Sequence, residues 1–248
     1  MCVLAIQYKS VANAPILIAH NREEMLDRPT QPPRIQSGKP RVVCGIDRKA
    51  GGTWLGINQH GLLAVVTNRR KINVPAEPRS RGLLCRELLA QCDARQAAQH
   101  AAQELATGCY AGANYICLDA EYGAVVYGGD TIEIVELQPG LHLLTNNDLN
   151  DHNDQRQQFV RRQLTLQKLD SAVTFLAVAS RAFARKTDAS GRRGVVIHRG
   201  DYGTVSSTLL SLATKNQNSV YQYAPGPPSE VGFDDCSALL RQVLSTEK

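Results

Sequence analysis

The order of β-rich and helical runs limits this chain's fold more than any single motif. Short β-rich runs come in three blocks, and pairs of helical segments separate them. The first block holds residues 3–8, 15–19, 52–58 and 62–67; Gln59-His60-Gly61 in its last connection is a hairpin signal. The second holds 114–119, 124–127, 131–137 and 141–144, and the third 195–198 and 205–212. Between them, 80–91 places Leu83, Leu84, Leu88 and Leu89 on one helical face, with Ser80 as its cap. Residues 93–106 are alanine-rich behind Asp93, 154–169 and 171–185 make a second pair, and 233–244 closes the chain. Strands in blocks with helices between them read as antiparallel sheet with helices segregated outside, an α+β fold. No G-x-G-x-x-G opens a helix, which argues against a dinucleotide-binding α/β domain.

Proline-rich stretches interrupt this pattern twice. Residues 28–40 carry Pro29, Pro32, Pro33 and Pro40 and read as an extended, irregular loop. Residues 225–228 are Pro-Gly-Pro-Pro. Neither has the length of a flexible interdomain linker, so 1–248 reads as a single domain.

Composition narrows the classes of function. Aromatic residues are 5% of the chain, with Trp54 the single tryptophan, too few for a base-stacking surface. No nucleic-acid motif or basic stripe is present, so no nucleic-acid partner is expected. Charge is uneven: residues 1–100 hold 15 basic and seven acidic side chains, +8, and the remainder 13 and 16, −3. A basic half suits an anionic small-molecule ligand. The seven cysteines show no C-x-x-C and no close histidine pair, so no metal site is expected. Six of them read as small buried hydrophobes. No run reaches the length of a membrane span, and residues 1–7 lack the basic start of a leader peptide. Together with free thiols, this leads to an expected cytoplasmic location.

The seventh thiol, Cys2, follows the initiator Met1. Removal of Met1 would set its thiol beside its own α-amine, which titrates near neutrality and can serve as a general base. Four polar residues, His20-Asn21-Arg22-Glu23, end an apolar run. Arg22 suits a thiolate or a ligand carboxylate, with Asn21 and Glu23 placed to fix it by hydrogen bonding. Glycines surround Trp54 in Gly51-Gly52-Thr53-Trp54-Leu55-Gly56, a sign of close backbone approach. Thr67-Asn68 and Thr145-Asn146 each end a strand, where an amide can donate to an oxyanion. Ser206 and Ser207 lie in the polar run before Leu209-Leu210, and no G-x-S-x-G supports a serine hydrolase.

These pieces occur in the order found in the NRDE family, also called the transport and Golgi organisation protein 2 family. The chain resembles that family from residue 1 to about 212 through Met1-Cys2, Asn21-Arg22-Glu23-Glu24, Arg28-Pro29, Gly51-Gly52-Thr53-Trp54-Leu55-Gly56, Thr67-Asn68, Leu144-Thr145-Asn146 and Gly203-Thr204-Val205-Ser206-Ser207-Thr208. The family is in turn similar to N-terminal-nucleophile (Ntn) hydrolases of the bile-salt-hydrolase and penicillin-acylase type. The resemblance implies a four-layer αββα sandwich of antiparallel sheets. It also implies a catalytic set of Cys2, Arg22, Glu23, Asn68 and Asn146, with Asn21, Trp54, Thr67, Ser206 and Ser207 lining the ligand. Three departures stand out: Glu23 replaces the motif's aspartate, Val205 replaces a common arginine, and residues 148–154 are polar where a Trp-Pro pair is usual.

The resemblance supports three functional readings. One is binding and trafficking of haem or a similar amphipathic anion, held without covalent attachment, with His20, Cys2, His60 and His142 as candidate axial ligands. The second is a Cys2-dependent amidohydrolase acting on linear C–N bonds. The third is a role in acyl-CoA or lipid metabolism.

Overall fold

The run Val3-Leu4-Ala5-Ile6-Gln7-Tyr8 forms strand β1 (Val3–Tyr8) in the computed structural model, buried along its whole length. The structure describes residues 2–187 and 194–245. In chain order β1 is followed by β2 (Ile16–Met25), β3 (Thr30–Gln36), β4 (Val42–Asp47), β5 (Leu55–Asn58) and β6 (Leu63–Asn68). Helices α1 (Arg81–Leu88) and α2 (Ala94–Ala106) come next, then β7 (Ala113–Leu118), β8 (Gly123–Gly128), β9 (Ile132–Glu136) and β10 (Gly140–Leu144). Helices α3 (Gln155–Leu164) and α4 (Ala172–Phe183) precede β11 (His198–Arg199), β12 (Tyr202–Leu212), β13 (Val220–Ala224), β14 (Asp234–Asp235) and α5 (Ser237–Leu244). The chain divides into two units: residues up to Asp27 with Pro139–Ala238, and Arg28–Gln138 with Leu239 onward.

The first unit is an antiparallel sheet in the order β10-β1-β2-β12-β13-β14, with β11 against β12. Side chains alternate across a strand, so the odd residues of β1 and β2 share one face. Val3, Ala5, Leu17 and Ala19 there meet Leu143, Leu209, Val160, Leu164, Phe175, Ala179 and Phe183 in one core with α3 and α4. Burying each large member contributes roughly 1.5–3 kcal/mol, which fixes the register of β1 against its neighbours. Asp154 and Ser171 cap the two helices, accepting from Arg156 and Gln157 and from Thr174.

The second unit is a seven-stranded antiparallel sheet running β3 to β9 in chain order, with α1 and α2 inserted between β6 and β7. Ser80 and Asp93 cap these helices as the sequence indicates. The expected leucine face is corrected at one position. Leu84, Leu88 and Leu89 are buried and Leu83 is 40% exposed, because Cys85 takes the inward place on α1. Two antiparallel sheets with five helices among the described residues make the fold α+β.

The loop expected at 28–40 contains β3, the edge strand of its sheet. Pro32 and Pro33 lack backbone N–H groups, and the sheet accommodates them at an edge and in a register shift between Gln31 and Arg34. Strands β4 and β13 also stand where no element was expected, and the helix expected at 233–244 is corrected at its start, where β14 precedes α5. The expected strand at 195–198 reduces to the two residues of β11. Three of the six expected core cysteines are corrected: Cys92 and Cys109 are exposed, each in the connection beyond a helix end, and Cys236 is half-buried. Cys44, Cys85 and Cys117 are buried.

Candidate functional site

Cys2 lies one residue before β1 and is 7% exposed. Two ladders frame it. Val3 pairs with Asn21 on β2, and Leu4 pairs with Leu144 on β10. Continued outward, the ladders set Arg22 on one side of Cys2 and Asn146 on the other. Strand pairing thus brings together three residues that lie far apart in sequence. Burial pushes the Cys2 thiol up, and the Glu23 carboxylate adds to that push. The backbone N–H of Glu23 and the Arg22 guanidinium pull the other way. At neutral pH this is a protonated thiol that needs a base to become a nucleophile.

The four polar residues at the end of β2 divide between the two faces of the sheet. His20 and Arg22 lie opposite Thr208 and Ser206 on β12, while Asn21 and Glu23 face the helices. This corrects the expectation that Asn21 and Glu23 fix Arg22. The amide of Asn21 donates to the Phe183 carbonyl at the end of α4, at 2.9 Å. The Glu23 carboxylate accepts two bonds from Arg156 on α3, one of them at 3.0 Å. Arg22 is 6% exposed and lies 3.9 Å from Glu24. Ser206 and Ser207 are buried on β12, and the Ser207 hydroxyl donates to the His20 carbonyl at 3.3 Å. Val205 falls in the bulge between Thr204 and Ser206. It lines a groove of about 490 Å³ together with apolar Leu26 and Ile197 and charged Lys186 and Glu230.

The first turn of α3 holds the other side of the site. Asp154 accepts from the Thr145 hydroxyl at 2.5 Å and from the Asn147 amide at 3.0 Å. Gln157 donates to Thr145 at 3.3 Å and to the Asp148 carbonyl at 2.9 Å. Asn146 sits in the bend these bonds hold, and its buried Oδ1 has no hydrogen-bond partner. Sequence reading missed Asp154, Arg156 and Gln157; the Thr145-x₈-Asp154 spacing after a strand end carries no recognisable signal. His20 was expected as a ligand candidate. It is fully buried with neither ring nitrogen partnered, and burial together with the Arg22 charge pushes its pKa down to about 3. Its imidazole is therefore neutral.

The remaining expected residues belong to the second unit. Trp54 is buried, and its ring occupies the space a side chain at Gly45 would need. Gly52 lies so near the backbone of Gly82 that an added Cβ would sit 2.1 Å from it. The glycines expected around Trp54 do mark close backbone approach. Thr67 and Asn114 share one face of their sheet, with the Asn114 amide donating to the Thr67 hydroxyl at 3.3 Å. Asn68 ends β6 on the opposite face, half-buried.

The family model for Transport and Golgi organisation 2 matches residues 1–223. A curated relative from Bos taurus, a Transport and Golgi organization protein 2 homolog, is 30% identical over 227 residues, covering 79% of this chain and 81% of its own. The Mus musculus homolog is 34% identical over 77 residues, 30% of this chain and 28% of its own. Among solved structures, the Caenorhabditis elegans ortholog of N-acylethanolamine-hydrolyzing acid amidase matches with a TM-score of 0.59 at 14% identity, over 98% of both chains. Penicillin V acylase from Agrobacterium tumefaciens matches with a TM-score of 0.52 at 14% identity, over 97% of this chain and 88% of its own. A mutant conjugated bile acid hydrolase from Clostridium perfringens gives 0.52 at 10% identity, over 96% and 93%. These likenesses establish an Ntn-hydrolase fold. Among the described residues, no helix is long and apolar enough to cross a membrane.

Proposed function

This chain belongs to the Transport and Golgi organisation 2 family, and from that premise we propose that it is a Cys2-dependent hydrolase of linear amides. One observation carries the proposal: the ladders of β1 set Arg22 and Asn146 on either side of a buried thiol. The solved proteins that share its fold include an acid amidase and a penicillin acylase. After removal of Met1, the α-amine of Cys2 takes the thiol proton, and sulfur attacks the amide carbonyl. Asn146 and a backbone N–H hold the oxyanion, and Arg22 orients the anionic end of the substrate. The ammonium then gives its proton to the leaving nitrogen as the C–N bond breaks. Water attacks the thioester, releasing a carboxylic acid and restoring the thiol. A panel of acyl amides, including long-chain acyl amides for the lipid-metabolism reading, tests this. Turnover should be present in the wild type and absent in Cys2→Ala; equal rates in both would refute it.

A second reading is carriage of haem or a similar amphipathic anion, supported by His20. A neutral imidazole with both nitrogens unpartnered is in the protonation state a metal ligand needs. Haem titration should then shift the Soret band in the wild type and not in His20→Leu; no shift in the wild type would remove this reading.

A further inference from the structure

We propose that Arg156 is a positioning residue for the Cys2 site: its grip on Glu23, the residue after Arg22 on β2, offsets part of the negative charge that bears on the sulfur and fixes the strand that carries Arg22. The Glu23 side chain is 0% exposed and that of Arg156 13%, and the guanidinium contacts both carboxylate oxygens. The same guanidinium donates to the Val195 carbonyl at 3.0 Å, so its fork is held from a second side. Two residues earlier, Asp154 holds Thr145 and Asn147 around Asn146. One turn of α3 therefore braces both strands that flank Cys2.

A buried carboxylate near a thiol disfavours the thiolate; burial pushes the Glu23 carboxyl up, and the bidentate arginine pulls it back and offsets part of its charge. The other charged or titratable groups acting on this cluster are the N-terminal amine, His20, Arg22 and Glu24 on β2, Arg199 on β11, Tyr202 on β12 and Tyr223 on β13. The Tyr202 hydroxyl bonds the Glu23 carbonyl at 2.9 Å and leaves its carboxylate to Arg156. Glu24 lies on the Arg22 face of the strand.

The inference deepens the hydrolase reading, but it requires only that Cys2 be the thiol whose reactivity is measured. The experiment follows iodoacetamide alkylation of Cys2 against pH in the full chain, reading the Cys2 peptide by mass spectrometry. Arg156→Gln should raise the midpoint by about one pH unit, a roughly tenfold slower reaction below it. Glu23→Gln, which leaves Arg156 charged, should lower the midpoint. The double variant should return to within about threefold of the wild-type rate, since charge cancellation and not a particular contact sets the value. Arg156→Lys keeps the charge and should stay close to wild type even where Arg156→Gln fails to fold. A purely structural brace would move both single variants in the same direction, or change only the melting temperature; either result overturns the proposal. Opposite shifts with no amide turnover in any protein would refute the hydrolase reading and leave this one standing.

Discussion

Replacing His20 with leucine should make the protein more resistant to mild acid. The imidazole is fully buried, and its pKa of about 3 lies well below the value near 6.5 expected of an unfolded chain. The unfolded state therefore takes up the proton first. The stabilisation this provides is complete above pH 6.5 and is lost as pH falls towards 3. Between pH 7 and pH 5 the wild type should lose about 2 kcal/mol through this one group. His20→Leu removes the titration and also the two unpartnered ring nitrogens. Burying an unpartnered polar atom costs about 1–3 kcal/mol, so the variant should be at least as stable as the wild type at pH 7. The assay is urea unfolding of both proteins at pH 7, 6 and 5. Groups common to the two proteins cancel in the difference at each pH, which should widen by about 2 kcal/mol across the range. Parallel lines would refute the reasoning, because they would mean that His20 is not held neutral by burial.

Three further perturbations test other parts of the account. Asn58→Ala removes bonds to the Leu89 and Gln91 carbonyls and from the His60 and Leu62 N–H groups, at 2.8–3.1 Å. It should cost on the order of 2–4 kcal/mol and speed hydrogen exchange at the end of α1. Gly45→Ala would put its Cβ 2.4 Å from the Trp54 ring, so the fluorescence of the single tryptophan should change and stability should fall by about 1–3 kcal/mol. With Ellman's reagent at pH 7.5, Cys92 and Cys109 should react first. Cys44 and Cys117, pushed up to about 11 and about 12 by burial, should react only on unfolding.

The sequence was most legible where local chemistry decided the outcome. Ser80 and Asp93 were readable as helix caps and are caps, because a short oxygen-bearing side chain before an apolar-periodic run has few better uses. It was least legible where tertiary pairing overruled propensity. Pro32 and Pro33 read as loop, yet an edge position with a register shift gave them a place in a sheet. At the site, Cys2, Arg22 and Asn146 were readable as candidates from strand ends. The grip of Arg156 on Glu23 beside them was not, because it depends on α3 folding back against β2 across 133 residues of chain. Glu23 shows the same limit: the sequence offered it to Arg22, and strand alternation turned it to the opposite face.

The central claim is that Cys2 is an N-terminal nucleophile, and the most direct measurement is the intact mass of the purified protein before and after a short incubation with a long-chain acyl amide. The account predicts a chain lacking Met1 that gains one acyl group on Cys2, trapped as a thioester on acid quenching and absent in Cys2→Ala. A chain that retains Met1, or that never carries an acyl group on Cys2, would contradict it.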